Sequence, residues 1–267
     1  MRYDLCILIP ARFGHQQIPE KNLREVHGRA LVKRALTHAT YLENANLRIC
    51  ISTNQPEKVL GILDEDSLEE FKEIFENFRH GISVTRKFDI HQRPESLALP
   101  NSSTIETLNS VRESYIRNNV HFSQWLILQP TSPFRSYIEL NQIMEKIMSG
   151  TKLDSYSLVS VTDVGDKHPE RMYRINQHVL SRYLTSSQNE FTRRQDLERL
   201  YVRDGGFYVI SDELARKGLL LAENSDFIVR KYPWSINIDG FEDLKSAQSV
   251  GLEDVMKDPN SNRSDKS

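Results

Sequence analysis

Between Ala11 and Asn22 the chain reads ARFGHQQIPEKN, immediately after an apolar run. This segment joins two cations, Arg12 and Lys21, to a glycine, Gly14, that lets backbone come close to a ligand. Guanidinium and ammonium groups held at the end of a strand suit a polyphosphate, whose oxygens they neutralise and hydrogen-bond. The spacing is neither GxxxxGK[ST] nor GxGxxG, so this is not one of the common phosphate loops. On composition alone, anion binding stands beside the plainer reading that Arg and Lys in a surface loop are simply solvated. His15 lies in the same loop, and no histidine pairs with a Cys or Glu at metal-ligand spacing. Cys6 and Cys50 sit inside the apolar runs LCILI and RICIS and read as buried thiols.

The loop needs a scaffold. Tyr3–Pro10 is a nearly continuous β-prone run, the pattern of a strand buried on both faces. LVKRALTHATYL, from Leu31, has helical spacing, and Leu47–Ser52 supplies another short strand. A charged helix is expected over Glu57–Phe78, a strand near Gly81–Val84, and a helix over Ser103–Asn118 started by the Asn101, Ser102, Ser103 cluster. Trp125–Gln129 is a further buried strand. Tyr156–Val161, Tyr201–Ile210 and Tyr232–Ile238 read as later strands, and Phe241–Val250 as a helix with Glu242 and Asp243 in its first turn. Alternating strands and helices predict an α/β fold: an open, mostly parallel sheet flanked by helices, with ligands beyond the carboxyl ends of the strands. His168–Arg199 is poor in apolar runs and reads as an excursion.

The 267 residues carry 35 Lys and Arg against 37 Asp and Glu, for a formal charge of −2. That balance gives no long-range attraction to nucleic acid, so an anion site must be local. No stretch has the run of apolar residues that spans a bilayer, and the N-terminus has no leader pattern, so no membrane partner and a cytoplasmic location are expected. Residues 1–256 read as one domain and 257–267, KDPNSNRSDKS, as a flexible tail with almost nothing to bury.

The loop is similar to the signature A-R-x-G-S-K-x-x-P-x-K-N of the CMP-sialic acid synthetase (acylneuraminate cytidylyltransferase) family, which includes legionaminic and pseudaminic acid cytidylyltransferases. Ala11, Arg12, Gly14, Pro19, Lys21 and Asn22 match it, whereas His15 and Gln16 replace its Ser and Lys. Further segments follow in order. Arg93–Ala98 resembles R-P-x-x-L-A, and Leu128–Arg135 resembles L-Q-P-T-S-P-L-R. His168–Met172, Arg193–Leu197 and Tyr201–Tyr208 resemble the sugar-side half, and Ser235–Asp239 with Glu242–Leu244 resembles S-I-D-I-D-x-x-x-D-L. The similarity runs from about residue 5 to 250.

The resemblance implies a Rossmann-like nucleotidyltransferase fold and transfer of CMP from CTP to the anomeric hydroxyl of a sialic-type 2-keto-3-deoxy sugar acid, with pyrophosphate released. It implies Arg12, Lys21 and Asp239 as catalytic residues, and a nucleotide site of Ala11, Arg12, Gly14, Lys21, Asn22, Arg93, Ser102 and Ser103. Gln129, Thr131, Arg194 and Gln195 are the implied sugar contacts, since an arginine grips a carboxylate through two parallel hydrogen bonds. Mg²⁺ is the implied cofactor, on Asp239 and Asn237, together with a homodimer in which about residues 137–190 form the dimerisation lobe. Asn237 replaces the first aspartate of the metal pair, Asn54 an aspartate common in relatives, and Pro100 an aspartate near the base. Gln16, Asn54 and Asn237 each remove a charge. Two alternatives therefore stay open: an eight-carbon (CMP-KDO-type) acid as acceptor, or a paralogue that binds nucleotide without turnover.

Overall fold

The computed structural model describes residues 1–14, 17–42, 46–63, 81–83, 88–150, 155–184 and 197–256. In chain order the elements are β1 (Arg2–Pro10), β2 (Glu25–Val26), β3 (Arg29–Ala30), α1 (Leu31–Tyr41), β4 (Leu47–Thr53), α2 (Pro56–Leu63), β5 (Ile82–Ser83), β6 (Asp89–Gln92), α3 (Thr104–Arg117), β7 (His121–Leu128), α4 (Tyr137–Gly150), β8 (Ser157–Asp163), β9 (Tyr173–Asn176), β10 (Val179–Arg182), β11 (Tyr201–Ser211), α5 (Asp212–Arg216), β12 (Asp226–Val229), α6 (Phe241–Ser249) and α7 (Leu252–Met256).

An eight-stranded sheet runs in the order β12-β8-β11-β7-β1-β4-β6-β5. β1 is parallel to both β4 and β7, β4 to β6, and β8 to β12, while β11 runs antiparallel between β7 and β8. The expected mostly parallel sheet is therefore present. The chain lays β4 and β6 on one side of β1, then returns to place β7 on the other, and that reversal opens a crevice beyond the carboxyl ends. β11 enters from that end: Phe207 pairs with Leu128, so Gly205 and Gly206 lie just past the end of β7.

Alternation along β1 explains why helices cover both faces. Leu5, Ile7 and Ile9 pack with α1, α2 and α4 through Val32, Ala35, Val59, Leu60, Leu140 and Ile143. Cys6 and Leu8 face α3 and α5 through Leu108, Val111, Tyr115 and Leu214. Each fully buried Leu or Ile contributes about 1.5–3 kcal/mol. Both cysteines are buried thiols, as expected.

A third cluster builds the far wall of the crevice: Ile18, Val26, Leu31, Phe134, Trp234, Ile238, Leu244 and Ala247 pack together. It seats α6 against the β2–β3 hairpin and carries Asn237–Asp239 toward Lys21. Here the expectation of a strand over Tyr232–Ile238 is corrected. The segment folds as turns, with Ser235 N–H donating to Lys231 C=O and Ile236 N–H to Pro233 C=O, while Ile238 N–H reaches across to Thr131 C=O at 2.8 Å. Pro233 has no N–H to give a ladder.

The stretch that leaves the sheet is narrower than 137–190. α4 packs on the core and β8 is a sheet strand, so the hairpin β9–β10 with its flanks stands out, bearing exposed Ile175, Val179 and Leu180. The charged helix expected over Glu57–Phe78 is α2 up to Leu63; its remainder and the tail from Lys257 lie outside the described residues. Among the described residues no helix is long and apolar enough to cross a membrane.

Candidate active site

At the carboxyl edge lies a cleft of about 600 Å³. Arg12, Lys21, Asn22, Arg93, Ser102, Ser103, Gln129, Thr131, Asn237 and Asp239 all line it, so positions spread over more than two hundred residues of sequence meet in one place. Gln17, Thr107 and Gly205 also line it and were not foreseen. Ala11 is fully buried among core side chains, and its N–H donates to Ser52 C=O, so it holds the loop root and presents no side chain to the cleft. Gly14, at φ +144°, brings the loop close to Ala98 C=O. His15, Gln16, Arg194 and Gln195 lie outside the described residues.

The loop is fixed from three sides. Asn22 donates to Arg12 C=O at 2.8 Å. Arg12 Nη1 donates to Ala98 C=O at 3.3 Å and to Leu99 C=O, which turns the guanidinium across the cleft mouth. Asn54 accepts from Phe13 N–H at 2.8 Å, donates to Phe13 C=O at 3.0 Å, and donates to the Glu95 carboxylate at 3.3 Å. An aspartate could make only the first of these bonds and would face Glu95 as a like charge. The replacement at Asn54 thus serves the loop's architecture.

Lys21 opens a short 3₁₀ turn and donates to Ile238 C=O at 2.9 Å and to Asp239 Oδ1 at 3.3 Å. Asn237 Nδ2 donates to Asp239 Oδ2 at 2.9 Å. Asn237 and Asp239 therefore converge through a turn, although no strand aligns them. Asn237 Oδ1 is buried with no hydrogen-bond partner among the described residues. Asp243 accepts from the N–H groups of Asp239 and Gly240, as expected of a residue capping α6. No group of three His, Cys, Asp or Glu side chains able to hold a metal occurs among the described residues.

On the opposite wall, Ser103 caps α3: its hydroxyl accepts from Glu106 N–H at 3.3 Å and Glu106 accepts from Ser103 N–H at 2.7 Å. The backbone bond from Ser103 lowers the Glu106 pKa. Ser102 donates to Ser96 C=O. Arg93 is 4 % exposed and donates through Nε to Ser52 Oγ and through Nη2 to Ser52 C=O, both at 3.2 Å. Burial, then the nearby Arg12, pulls its pKa down to about 10.

Beneath Gln129 and Thr131 lies a buried charge network that reads in sequence as scattered surface residues. Arg230 ion-pairs with Asp204 and Glu139 at 3.0 and 3.1 Å and donates to Phe134 C=O. Arg135 donates to Gln129 C=O at 2.8 Å, to Gly206 C=O at 2.6 Å and to Ser132 C=O at 2.8 Å. Burial raises the Glu139 pKa, and burial with Arg230 pulls Arg135 down to about 9. Two guanidinium groups balance two carboxylates, which is how buried charge is tolerated. The network clamps the 129–135 turn to the start of β11.

Sheet order and crevice define the class: a Rossmann-like α/β fold with an open, mostly parallel sheet. Among solved structures, a CMP:2-keto-3-deoxy-manno-octonic acid synthetase complexed with CTP superposes with a TM-score of 0.55 at 14 % identity, covering 92 % of this chain and 97 % of that one. No protein-family profile matches. The chain is also similar to curated proteins. The N-acylneuraminate cytidylyltransferase of Streptococcus agalactiae serotype V is 26 % identical over 246 residues, 90 % of this chain and 51 % of that protein. The CMP-N,N'-diacetyllegionaminic acid synthase of Legionella pneumophila is 26 % identical over 163 residues, 61 % of this chain and 60 % of that one. The resemblance seen in the motifs thus extends to named relatives, and the chain spans about half the length of the streptococcal ones.

Proposed function

We propose that this chain is a cytidylyltransferase that moves CMP from CTP to the anomeric hydroxyl of a sialic-type 2-keto-3-deoxy sugar acid. The observation that carries the reading is the convergence of Arg12 and Lys21 from the first loop with Asn237 and Asp239 from the late turn, over one cleft at the sheet's carboxyl edge. The hydroxyl oxygen forms a bond to the α-phosphorus as its proton passes to water, the bond from that phosphorus to the α–β bridging oxygen breaks, and pyrophosphate leaves with its electron pair. Negative charge spreads over the phosphate oxygens in the transition state, so positioned cations supply most of the catalysis. Lys21, aimed by Ile238 C=O and Asp239, and Arg12, turned across the mouth, are the groups for that task. Asn22, Arg93, Ser102 and Ser103 frame the cytidine. Gln129 and Thr131, with Arg194 and Gln195, take the acid.

Mg²⁺ fits the donor set. It takes oxygen ligands and retains water and phosphate oxygens, so few protein ligands are needed. Asp239 offers an exposed carboxylate, and Asn237 Oδ1 is a buried oxygen without a hydrogen-bond partner among the described residues. When bound there, the ion would neutralise phosphate charge and hold the triphosphate in line. A homodimer is supported by the exposed apolar side chains of β9–β10, Ile175, Val179 and Leu180.

Pyrophosphate release with CTP, Mg²⁺ and a panel of nine- and eight-carbon 2-keto-3-deoxy acids tests the reading. Turnover with a nine-carbon acid is expected. Turnover only with the eight-carbon acid moves the assignment to the CMP-KDO type, and CTP binding without release on any acid leaves a binding protein.

A further inference from the structure

We infer that His91 is a positioning residue for the nucleotide site, acting through Ser52 on Arg93; this rests on the nucleotide reading of the cleft. His91 is 1 % exposed on β6 and belongs to none of the motifs of the first loop or the late turn. Its Nδ1 lies 3.0 Å from Ser52 Oγ, and its Nε2 lies 3.3 Å from Ser110 Oγ on α3. Ser52 Oγ is the atom that receives Arg93 Nε–H.

Arginine only donates, so Ser52 Oγ accepts from Arg93, and its hydroxyl keeps one proton to give. In the proposed arrangement that proton goes to His91 Nδ1, which places the ring proton on Nε2, directed at Ser110. This needs a neutral imidazole, and burial, then Arg93, favours the uncharged ring. A charged ring would donate to Ser52 through Nδ1 and turn the serine's own proton away from that line.

His91 therefore ties together both walls of the proposed cytidine pocket. On one side it orients the acceptor that sets the Arg93 guanidinium, and on the other it is hydrogen-bonded to α3, whose N-terminus carries Ser102 and Ser103. A buried Arg93 has few ways to correct its aim if that acceptor rotates.

Calorimetric titration with CTP in Mg²⁺ tests the inference on five proteins: wild type, His91→Leu, His91→Asn, Arg93→Ala and the His91→Leu/Arg93→Ala double variant that closes the cycle. His91→Leu removes the acceptor and should weaken CTP binding about fivefold, the scale of one net hydrogen bond. His91→Asn can place its amide oxygen near the Nδ1 position and should return affinity to within about twofold. In the Arg93→Ala background, His91→Leu should have no further effect. Wild-type affinity in His91→Leu, or a full additional loss in the double variant, overturns the inference while leaving the nucleotide reading intact. Absence of CTP binding by the wild type overturns both. If His91→Leu does not fold, His91→Gln serves: its longer amide reaches toward Ser110 and away from Ser52, so it should bind more weakly than His91→Asn, and equal affinities contradict the role.

Discussion

Replacing Gly206 with alanine drives a methyl group into the buried charge network. A Cβ at that position would stand 2.0 Å from Arg230 Nη1, 2.8 Å from its Cζ and 2.9 Å from Ser160 Oγ. Gly206 is not among the glycines with positive φ, so the cost is steric and comes from the side chain opposite. Arg230 cannot step aside cheaply, because it is 3 % exposed and pinned by Asp204, Glu139, Ser132 Oγ and Phe134 C=O. Overpacking alone costs about 1–3 kcal/mol. Separating a buried ion pair costs about 3–5 kcal/mol, because the charge left behind is uncompensated. Together these place the destabilisation at about 4–8 kcal/mol, or roughly 10–30 °C in Tm for a domain of this size. Gly205→Ala is the control: its Cβ would meet Asn237 at an ordinary 3.6 Å, and its φ of +74° alone costs about 1–2 kcal/mol. Urea unfolding followed by circular dichroism measures both. A Gly206→Ala variant within about 1 kcal/mol of wild type would refute the claim that Arg230 is locked in place.

Asn54→Asp should cost about 1–3 kcal/mol, since Phe13 C=O loses its donor and a carboxylate comes to face Glu95; the urea midpoint reads this, and an unchanged midpoint contradicts the loop-anchoring role. Asn237→Asp replaces the donor to Asp239 with a second carboxylate, so less Mg²⁺ should be needed for half-maximal CTP binding in titrations; unchanged metal dependence shows the metal ligands to be misplaced. Burial, then Arg93, pushes His91 down to about 3 in the folded protein. The unfolded ring titrates near 6.5, so it binds a proton that the folded ring refuses. Stability is unaffected by this group above pH 6.5 and falls as pH drops from 6.5 toward 3, by about 2 kcal/mol at pH 5. Urea midpoints at pH 7 and pH 5 should therefore converge in His91→Asn relative to wild type, and equal pH slopes would contradict the neutral ring.

The strands with unbroken apolar runs were legible because a sheet covered on both faces demands such runs, and β1, β4 and β7 follow them closely. β6 was not legible. Its polar Asp89 and His91 look unsuited to a core, yet both are buried because Arg48 and Tyr115 bond the first while Ser52 and Ser110 bond the second. Those partners lie on other elements, and no local pattern points to them. The same limit hid the Arg135 and Arg230 network, whose contacts span up to 98 residues of sequence. Tyr232–Ile238 was read as a late strand, but Pro233 and local turn bonds won. The site read best where a motif fixed residue types: Arg12, Lys21, Asn22, Arg93, Gln129, Asn237 and Asp239 share the cleft. Ala11 shows the limit of that reading, since its side chain is buried in the core and is not among those that line the cleft.

The central claim is that the loop after β1 and the turn before α6 together hold a nucleotide triphosphate. Titration calorimetry with CTP and Mg²⁺, run on wild type and Lys21→Ala, addresses it most directly. One saturable site is expected, weakened at least tenfold in Lys21→Ala, the scale of a lost charge-assisted contact to phosphate. Equal affinity in the two proteins, or no heat in either, would contradict the claim.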